Sequence, residues 1–321
     1  MRWQWLGVVC TLLLACGGAQ HGGHADEDQR LGSLLPLVPT GPTWVIQARP
    51  RALGEQQAAL SLWRALITEE RERAFAERTG VAPLQVEEAV GCELPPHGYL
   101  VLARGPFSAD EVVERAGARL AVPDVSTDAP IKRREGLAGE GRYTYAALSP
   151  HALLVAKDAP PQWIARLLAR RAAILERAPQ PPDNPGLVDG AEPLLAEHAA
   201  EPLLLIAPQP LVFEPGTGVS LLFARERALA LTVRPTHEAL AVMFDMRGEF
   251  PPGAENNFRS LGRSLAGTQL GRALGLSHAP ETMAIRVDDQ GAVVTFALVG
   301  RELVAGVRMM FFDDLRTMFG N

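Results

Sequence analysis

Residues 142–176, RYTYAALSPHALLVAKDAPPQWIARLLARRAAILE, decide the fold class. Apolar runs on either side of Ser149-Pro150-His151 predict a β-hairpin with strands over 142–148 and 152–157. A proline then precedes an amphipathic stretch over 162–176, which is typical of the start of a helix. Hairpin followed by helix indicates an α+β protein.

The same order recurs near the end of the chain. Residues 283–287 and 292–299 predict a second hairpin around Asp288-Asp289-Gln290-Gly291, and a helix is predicted over 301–319. Sequence identity between the two copies is low, so the pattern indicates only a weak internal repeat of a hairpin-plus-helix unit. The expected fold is α+β, with two α/β sub-domains built from mostly antiparallel sheets and packed helices.

A proline-rich stretch separates the two sub-domains. Residues 178–193, APQPPDNPGLVDGAEP, have the composition of a linker. The first α+β domain is therefore predicted over 34–177 and the second over 194–321. A chain of 321 residues with 47% hydrophobic and 21% charged residues has enough apolar material for two such cores.

The remaining elements follow from apolar periodicity and cap signals. Ser108, with Glu111 three residues later, forms a capping box for a helix, and Asn256 is the predicted cap of another. Strands are predicted over 43–48, 99–103, 202–206, 219–224, 228–234 and 239–246. Helices are predicted over 53–67, 68–78, 81–90, 109–120, 194–200 and 256–274.

The first sixteen residues, MRWQWLGVVCTLLLAC, carry a targeting signal. Arg2 precedes an apolar run of about ten residues, half the roughly twenty needed to span a bilayer. The run ends in Leu13-Leu14-Ala15-Cys16, which resembles the lipobox of bacterial lipoproteins. The resemblance implies that residues 1–15 are a lipoprotein signal peptide and that Cys16 is diacylated on sulfur, exposed by cleavage and then N-acylated. The alternative is an ordinary signal peptide cut after Ala15 or Ala19.

The expected location is the cell envelope. In the lipoprotein family of a two-membrane bacterium, Gly17 rather than Asp after the cysteine implies export to the outer membrane, facing the periplasm. The chain carries a net charge of −6, and loss of Arg2 with the signal makes it more negative. An acidic surface disfavours nucleic acid and electrostatic adhesion to anionic lipid. The expected partners are therefore a membrane, through the N-terminal acyl chains, and an envelope protein.

Residues 16–33 are predicted to form the lipidated N-terminus and a flexible tether, because they are small, polar and acidic without periodicity. Within them His21 and His24 lie next to Asp26, Glu27 and Asp28, and such side chains are ligands for zinc, copper or nickel. Ligands on a flexible segment bind weakly. We therefore predict a solvated tether, with His21 and His24 as weak metal candidates and no metal site.

No motif predicts catalysis or a cofactor. Gly-x-Ser-x-Gly and Walker sequences are absent, and Gly139-x-Gly141 and Gly216-x-Gly218 lack the third glycine of a dinucleotide-binding loop. His237-Glu238 has no second histidine at Ala241, which a zinc-protease helix requires. Cys92 and His97 are the nearest thiol and imidazole, but a small buried cysteine is the better interpretation.

Three functions remain open. The leading hypothesis is an acyl-anchored envelope lipoprotein that works by non-enzymatic binding or scaffolding. The first alternative is a periplasmic carrier or sensor of a small hydrophobic ligand, for which a large apolar pocket would be a sign. Exposure of Met309, Phe312 and Phe319 on the C-terminal helix would favour either a protein partner or an apolar-ligand pocket over packing on the other domain. The second is an enzyme of unrecognised type, in which His151, His237 or His278 would meet a carboxylate or hydroxyl in a cleft.

Overall fold

A computed structural model describes most of the chain after the N-terminal segment, and its α+β class is the one predicted from the sequence. The described residues are 25–94, 98–124, 131–139, 141–178, 192–208, 223, 225–236, 239–306 and 308–309. They divide into two compact units. The first contains residues 25–52 and 69–178, and the second contains residues 53–68 and those from 192 onward.

The elements before residue 178, in chain order, are α1 (Ala25–Leu31), β1 (Val45–Ala48), α2 (Pro50–Gly54), α3 (Gln57–Leu66), α4 (Glu69–Thr79), β2 (Glu88–Leu94), β3 (Gly98–Arg104), α5 (Ala109–Gly117), β4 (Ala121–Asp124), β5 (Arg133–Ala138), β6 (Gly141–Ser149), β7 (Ala152–Lys157) and α6 (Pro161–Glu176). Short 3-10 turns lie at Leu35–Leu37 and Pro83–Gln85. The hairpin and helix predicted over 142–176 are confirmed as β6, β7 and α6.

The later elements are α7 (Glu192–His198), β8 (Leu203–Ala207), β9 (Glu226–Pro235), β10 (Ala239–Gly248), α8 (Ala254–Ala266), α9 (Gln269–Ala273), α10 (Ala279–Thr282), β11 (Ala284–Val287) and β12 (Gly291–Val299). Residues 300–306 are helical. The second predicted hairpin is confirmed as β11 and β12. The linker predicted over 178–193 and the strand over 219–224 lie almost entirely outside the described residues.

Each unit contributes a set of antiparallel strands, called here the sheet of that unit, and the two sets share an order of strands. In the first unit the order is β1-β2-β3-β7-β6-β5-β4, and in the second it is β8-β9-β10-β12-β11. Each begins with a three-stranded meander. A hairpin later in the chain then joins the meander through its second strand, which pairs with the third strand of the meander. The weak repeat seen in the sequence thus extends to five strands of each unit.

A buried glutamate marks the same place in both sheets. Glu88 is the first residue of β2 and Glu226 is the first residue of β9, so each begins the second strand of its meander. Their exposures are 5% and 2%. Each is paired across the sheet with the last residue of the third strand, Arg104 in the first unit and Gly248 in the second. The correspondence extends the repeat to single positions.

The core of the first unit is made of large side chains that are fully buried. Phe107 and Leu34 are the bulkiest at 0% exposure on the segments flanking the sheet, and Leu100, Leu102, Leu148 and Leu154 come from three neighbouring strands. Burying each such side chain stabilises the fold by about 1.5–3 kcal/mol.

The sheet of the second unit buries both faces. On one face Met246 and Leu229 pack with Phe258 of α8. On the other face Leu204 and Ala230 pack with Leu194 of α7. Because successive side chains of a strand point to opposite faces, the odd-numbered residues of β10 lie on the face opposite Met246.

Two local predictions were wrong. Residues 81–90 do not form a helix, because Pro83 begins only a 3-10 turn and the chain from Glu88 enters β2, where all seven residues pair with β3. Asn256 does not cap its helix. Gly253 holds the cap position with φ of 82°, a left-handed conformation that favours glycine, and α8 already begins at Ala254.

Two boundaries also differ from those drawn from the sequence. Residues 53–68, placed within the 34–177 domain, belong to the second unit, where Leu62 of α3 lies against Gly300. Residues 25–33, placed within the flexible 16–33 tether, belong to the ordered body of the first unit. They form α1 and the turn after it, and Leu31 is only 2% exposed.

Candidate functional site

Salt bridges and hydrogen bonds hold α1 against the first unit. Asp28 accepts a hydrogen bond from Ser149 at the end of β6, and Glu27 Oε2 lies 3.6 Å from Arg171 Nη2 of α6. Arg171 also donates to the carbonyl oxygen of Leu148. Since the partners are more than a hundred residues away in sequence, the helix forms through tertiary contacts rather than local propensity.

Glu88 is the centre of the polar network that follows α1. Its Oε1 accepts hydrogen bonds from Ser33 Oγ at 2.5 Å and Gln47 Nε2 at 2.8 Å. Its Oε2 accepts from the backbone N–H of Leu34 at 3.0 Å and from Arg104 Nη2 at 2.8 Å. Both carboxylate oxygens therefore have two donors, which is the arrangement that compensates a buried charge.

The residue predicted to carry the anchor, Cys16, lies outside the described residues, as do the weak metal candidates His21 and His24. Lipidation at Cys16 and the absence of a metal site in the tether therefore stay predictions. His97 and His237 also lie outside the described residues. A contact between His97 and Cys92 therefore stays untested.

Cys92 itself is in no position to act as a nucleophile. It lies in β2 with no exposed surface, and burial raises the pKa of its thiol to about 12. The reactive form of cysteine is the thiolate, which is disfavoured in an apolar environment. The interpretation of Cys92 as a small buried side chain is supported by its surroundings.

The two described histidines that were candidate bases each contact one partner outside any enclosed cleft. His151 Nδ1 lies 2.7 Å from the carbonyl oxygen of Phe107 and helps to fix the β6–β7 turn. His278 Nδ1 lies 3.1 Å from Glu281 Oε2, with both side chains more than half exposed. A surface pair one helical turn apart has little effect on stability and provides no enclosed cleft.

A cluster that the sequence did not predict lies in the second unit. It consists of Glu197 and His198 at the end of α7, and of Asp245 and Arg247 on β10. Asp245 and Arg247 are two residues apart, so both point to the face of the sheet that α7 covers. The neighbours of Asp245 across the sheet are Ala230 and Val293, and the small Ala230 leaves room for the imidazole.

Short contacts join all four side chains. His198 Nε2 lies 3.0 Å from Asp245 Oδ2, and both residues are 8% exposed. Arg247 Nη2 donates to Asp245 Oδ2 at 3.3 Å and also to Glu197. One guanidinium nitrogen therefore serves two carboxylates. The Nε atom of Arg247 is buried and has no hydrogen-bond partner among the described residues.

A second ion pair lies beside this cluster. Glu201, three residues after His198, accepts a hydrogen bond from Arg234 Nε of β9 at 2.7 Å and a second one from Nη2. The hydrogen bonds from Arg234 lower the pKa of the Glu201 carboxyl, and the nearby His198 adds to the effect. Two-nitrogen pairing of this kind is stronger and better oriented than a single contact.

The chemistry available to the cluster is acid–base or metal binding. A histidine paired with a buried aspartate supplies two of the three members of a nucleophilic triad, but no described serine, threonine or cysteine side chain is hydrogen-bonded to His198. As metal ligands, Glu197, His198 and Asp245 each offer one atom, and the three atoms lie within 4.8 Å of one another. The set of one imidazole and two carboxylates suits zinc and similar divalent ions.

The first unit has an open cleft of about 350 Å³ between α4 and the beginning of α5. Its lining includes Glu77, Gln85, Ser108, Glu111 and Arg115. Ser108 accepts a hydrogen bond from the N–H of Glu111 at 3.3 Å, so the predicted cap is confirmed. Pockets for hydrophobic ligands are enclosed and mostly apolar, whereas this cleft is open and its lining is about equally polar and apolar.

Among the described residues, no helix combines the length and the apolar character required to cross a bilayer.

The chain is an α+β protein of two units that share an order of strands. One of the units carries a histidine–carboxylate cluster. The fold is similar to that of TP0453. Crystal form III of TP0453 aligns with a TM-score of 0.52 and 10% sequence identity, covering 87% of this chain and 98% of that chain. Crystal form I aligns with a TM-score of 0.50 and 12% identity over the same shares. At such low identity the likeness shows the fold alone.

No family model matches the chain, and no curated protein matches it.

Proposed function

We propose that the protein is an acyl-anchored lipoprotein of the bacterial cell envelope, whose α+β body acts by binding or scaffolding rather than by catalysis. The observation that carries the proposal is the N-terminal sequence, in which a short apolar run ends in Leu13-Leu14-Ala15-Cys16. One acyl chain binds a membrane only marginally, whereas two or three hold a protein stably. Cys16 is thus the proposed site of attachment.

The position of α1 supports an anchor close to the body. Eight residues lie between Cys16 and Ala25, the first residue of α1. The nine Cα–Cα steps from Cys16 to Ala25 reach at most about 30–32 Å. Asp28 and Glu27 fix α1 to the first unit. Acyl chains on Cys16 would therefore hold the first unit close to the lipid headgroups.

The outer membrane is the proposed location, with the body in the periplasm. The basis is Gly17 at the position after the modified cysteine, where Asp would be expected for retention in the inner membrane. Only Cys92 remains after Cys10 is removed with the signal and Cys16 is acylated, so the body needs no oxidising compartment for its folding.

A role in binding is favoured over catalysis by the side chains present. Cys92 is buried, and His198 has a carboxylate partner but no hydroxyl partner in the described part of the chain. Met309, at the end of the described helical segment, is 62% exposed, and exposed methionines are frequent at binding surfaces. An envelope protein is the partner class that fits an anchored body with such a surface. The hydrophobic carrier gains no support from the cleft beside α5, which is open and has a mixed polar and apolar lining.

Membrane fractionation of a two-membrane host expressing variants of the full chain tests the proposal. Wild type should partition with the outer membrane, and Cys16→Ala should lose acylation and remain as unprocessed precursor. Cys10→Ala is the matched control, because it removes the other cysteine of the signal and should leave fractionation unchanged. Wild type in the soluble periplasmic fraction would contradict the anchor.

A further inference from the structure

We propose that Glu197, His198 and Asp245 form a divalent-cation site selective for zinc-like ions, and that the guanidinium of Arg247 takes the place of the cation when none is bound. Nothing in this proposal depends on the anchor. It rests on the arrangement of four side chains in the second unit.

The spacing of the ligand atoms suits a tetrahedral ion. Bonds of about 2.0–2.2 Å place neighbouring ligand atoms about 3.3–3.6 Å apart. His198 Nε2 and Asp245 Oδ2 are 3.0 Å apart, and no pair among the three ligand atoms exceeds 4.8 Å. Small rotations of side chains would therefore close the site. Three protein ligands leave the fourth position for water or a further ligand.

Secondary structure holds two of the ligands in place. Asp245 lies on β10, which is paired with β9 on one side and β12 on the other, and His198 is the last residue of α7. Both are buried, so their geometry is set by packing rather than by solvent-exposed rotamers. The negative end of a helix also favours a cation near its C-terminus. The third ligand, Glu197, is half exposed and free to adjust.

The guanidinium of Arg247 lies where a metal ion would bind, but one of its own donors has no described acceptor. Its Nη2 contacts both carboxylates, while its Nε is buried and has no described partner. An unsatisfied buried donor is unfavourable, and the side chain is 28% exposed, so solvent is within reach. Rotation of Arg247 outward would satisfy its donors in water and open both carboxylates to an ion.

The proposal makes opposite predictions for two neighbouring charges. Removing the carboxylate in Glu197→Gln should weaken zinc binding at least about tenfold, since one of three ligands is lost. Removing the competing charge in Arg247→Met should strengthen it by about tenfold or more, because a cation a few ångströms from the metal repels it. If the four side chains form only a structural salt bridge, neither variant should bind zinc.

Isothermal titration of zinc chloride into the purified full chain, after chelator treatment, measures both effects. Wild type should bind one zinc per chain in this site. Arg247→Met should bind zinc more tightly than wild type, and Glu197→Gln should bind it more weakly. The double variant His21→Ala/His24→Ala is the control for ligands in the N-terminal segment and should retain the site. Circular dichroism of each variant verifies folding. Glu197→Gln is chosen because the Glu197 side chain is half exposed, so the substitution should not disturb the fold.

Two results would overturn the proposal. One is no zinc binding by either wild type or Arg247→Met. The other is binding that disappears in His21→Ala/His24→Ala and is indifferent to Glu197 and Arg247, which would locate the ion in the N-terminal segment.

Discussion

The two units share an order of strands but differ in how they satisfy buried charge. In the first unit Glu88 receives four hydrogen bonds, two on each oxygen, from donors on three separate stretches of chain. In the second unit Asp245 and Glu197 share a single nitrogen of Arg247, whose Nε has no described partner. The Glu88 carboxylate is thus saturated with donors, although Gln47 Oε1 beside it is buried without a described partner. In the second unit it is the cation that keeps an unsatisfied donor.

The difference indicates different roles. Loss of a saturated carboxylate is strongly destabilising, because it leaves several donors buried without acceptors. Glu88 therefore serves to fix the segment after α1 onto β2 and β3. An unsaturated network tolerates exchange of one cation for another. The cluster around Asp245 is accordingly the place where the second unit is able to respond to a ligand.

The largest predicted effect is at Glu88. Glu88→Ala should lower the free energy of unfolding by about 3–5 kcal/mol, because Arg104 and Gln47 lose their acceptor in a buried site. Urea denaturation followed by circular dichroism measures the change. Glu88→Gln is the matched control, since it keeps the shape and one acceptor oxygen and should cost less. A loss below about 1 kcal/mol for Glu88→Ala would show that the network is not saturated as described.

A smaller effect is predicted at Asp245, measured in the presence of a chelator. Asp245→Ala should cost about 1.5–3 kcal/mol, because His198 loses its partner while Arg247 keeps Glu197 and has access to water. The same urea experiment gives the value, with Asp245→Asn as the isosteric control. Equal losses for Asp245→Ala and Glu88→Ala would remove the contrast between the two networks.

Alkaline pH should distinguish the two meanders. Cys92 and Ala230 lie four residues after Glu88 and Glu226, and both are fully buried. Burial raises the pKa of Cys92 from 9.0 to about 12, so between these values the unfolded chain releases a proton that the folded chain retains. Stability is unaffected below pH 9 and should fall above it, by about 1.4 kcal/mol per pH unit.

The window from pH 9 to 10 isolates the cysteine, because Tyr145, with its pKa raised to about 12 mainly by burial, contributes only above pH 10. Urea denaturation of wild type and Cys92→Ala at pH 8, 9 and 10 measures the slope. Cys92→Ala places the residue of the second meander in the first and should abolish the slope in this window. A slope that persists in the variant would assign alkaline sensitivity to another group.

The smallest effect concerns the helix that follows the third strand of each meander. In the first unit Ser108 caps α5, whereas in the second Gly253 precedes α8 without a side-chain cap. Ser108→Ala should therefore cost about 1 kcal/mol, and Ser108→Gly only a few tenths. Thermal unfolding of Ser108→Ala and Ser108→Gly measures both losses of stability. Equal effects of alanine and glycine would mean that the hydroxyl contributes nothing.

Local patterns were sufficient for much of the fold. The hairpins β6–β7 and β11–β12 have turn residues between apolar runs, and Ser108 with Glu111 identified the start of α5. These features depend on neighbours in sequence. The predictions from them were therefore correct within a few residues.

The errors arose where distant residues determine local structure. Residues 88–94 have buried side chains on both faces, so their sequence lacks the alternation of a strand, and pairing with β3 is what defines them. Residues 25–31 are polar and have no helical periodicity. They become ordered through Asp28 and Ser149, which are 121 residues apart.

The cluster of the second unit was missed for the same reason. His198 and Asp245 are 47 residues apart, and neither lies in a recognisable motif. Only the pairing of β10 with β9 and the packing of α7 on that face bring them together. A buried aspartate within the apolar strand 239–246 was the single available signal.

The central claim, that Cys16 carries the acyl anchor, is tested most directly by mass spectrometry of the N-terminal tryptic peptide. The first Lys or Arg after Cys16 is Arg30, so the mature chain yields a peptide of residues 16–30. An acylated cysteine predicts this peptide with the added mass of two or three acyl groups and none of it unmodified. An unmodified peptide that begins at Cys16 or Gln20 would contradict the claim, because it is the product of an ordinary signal cleavage.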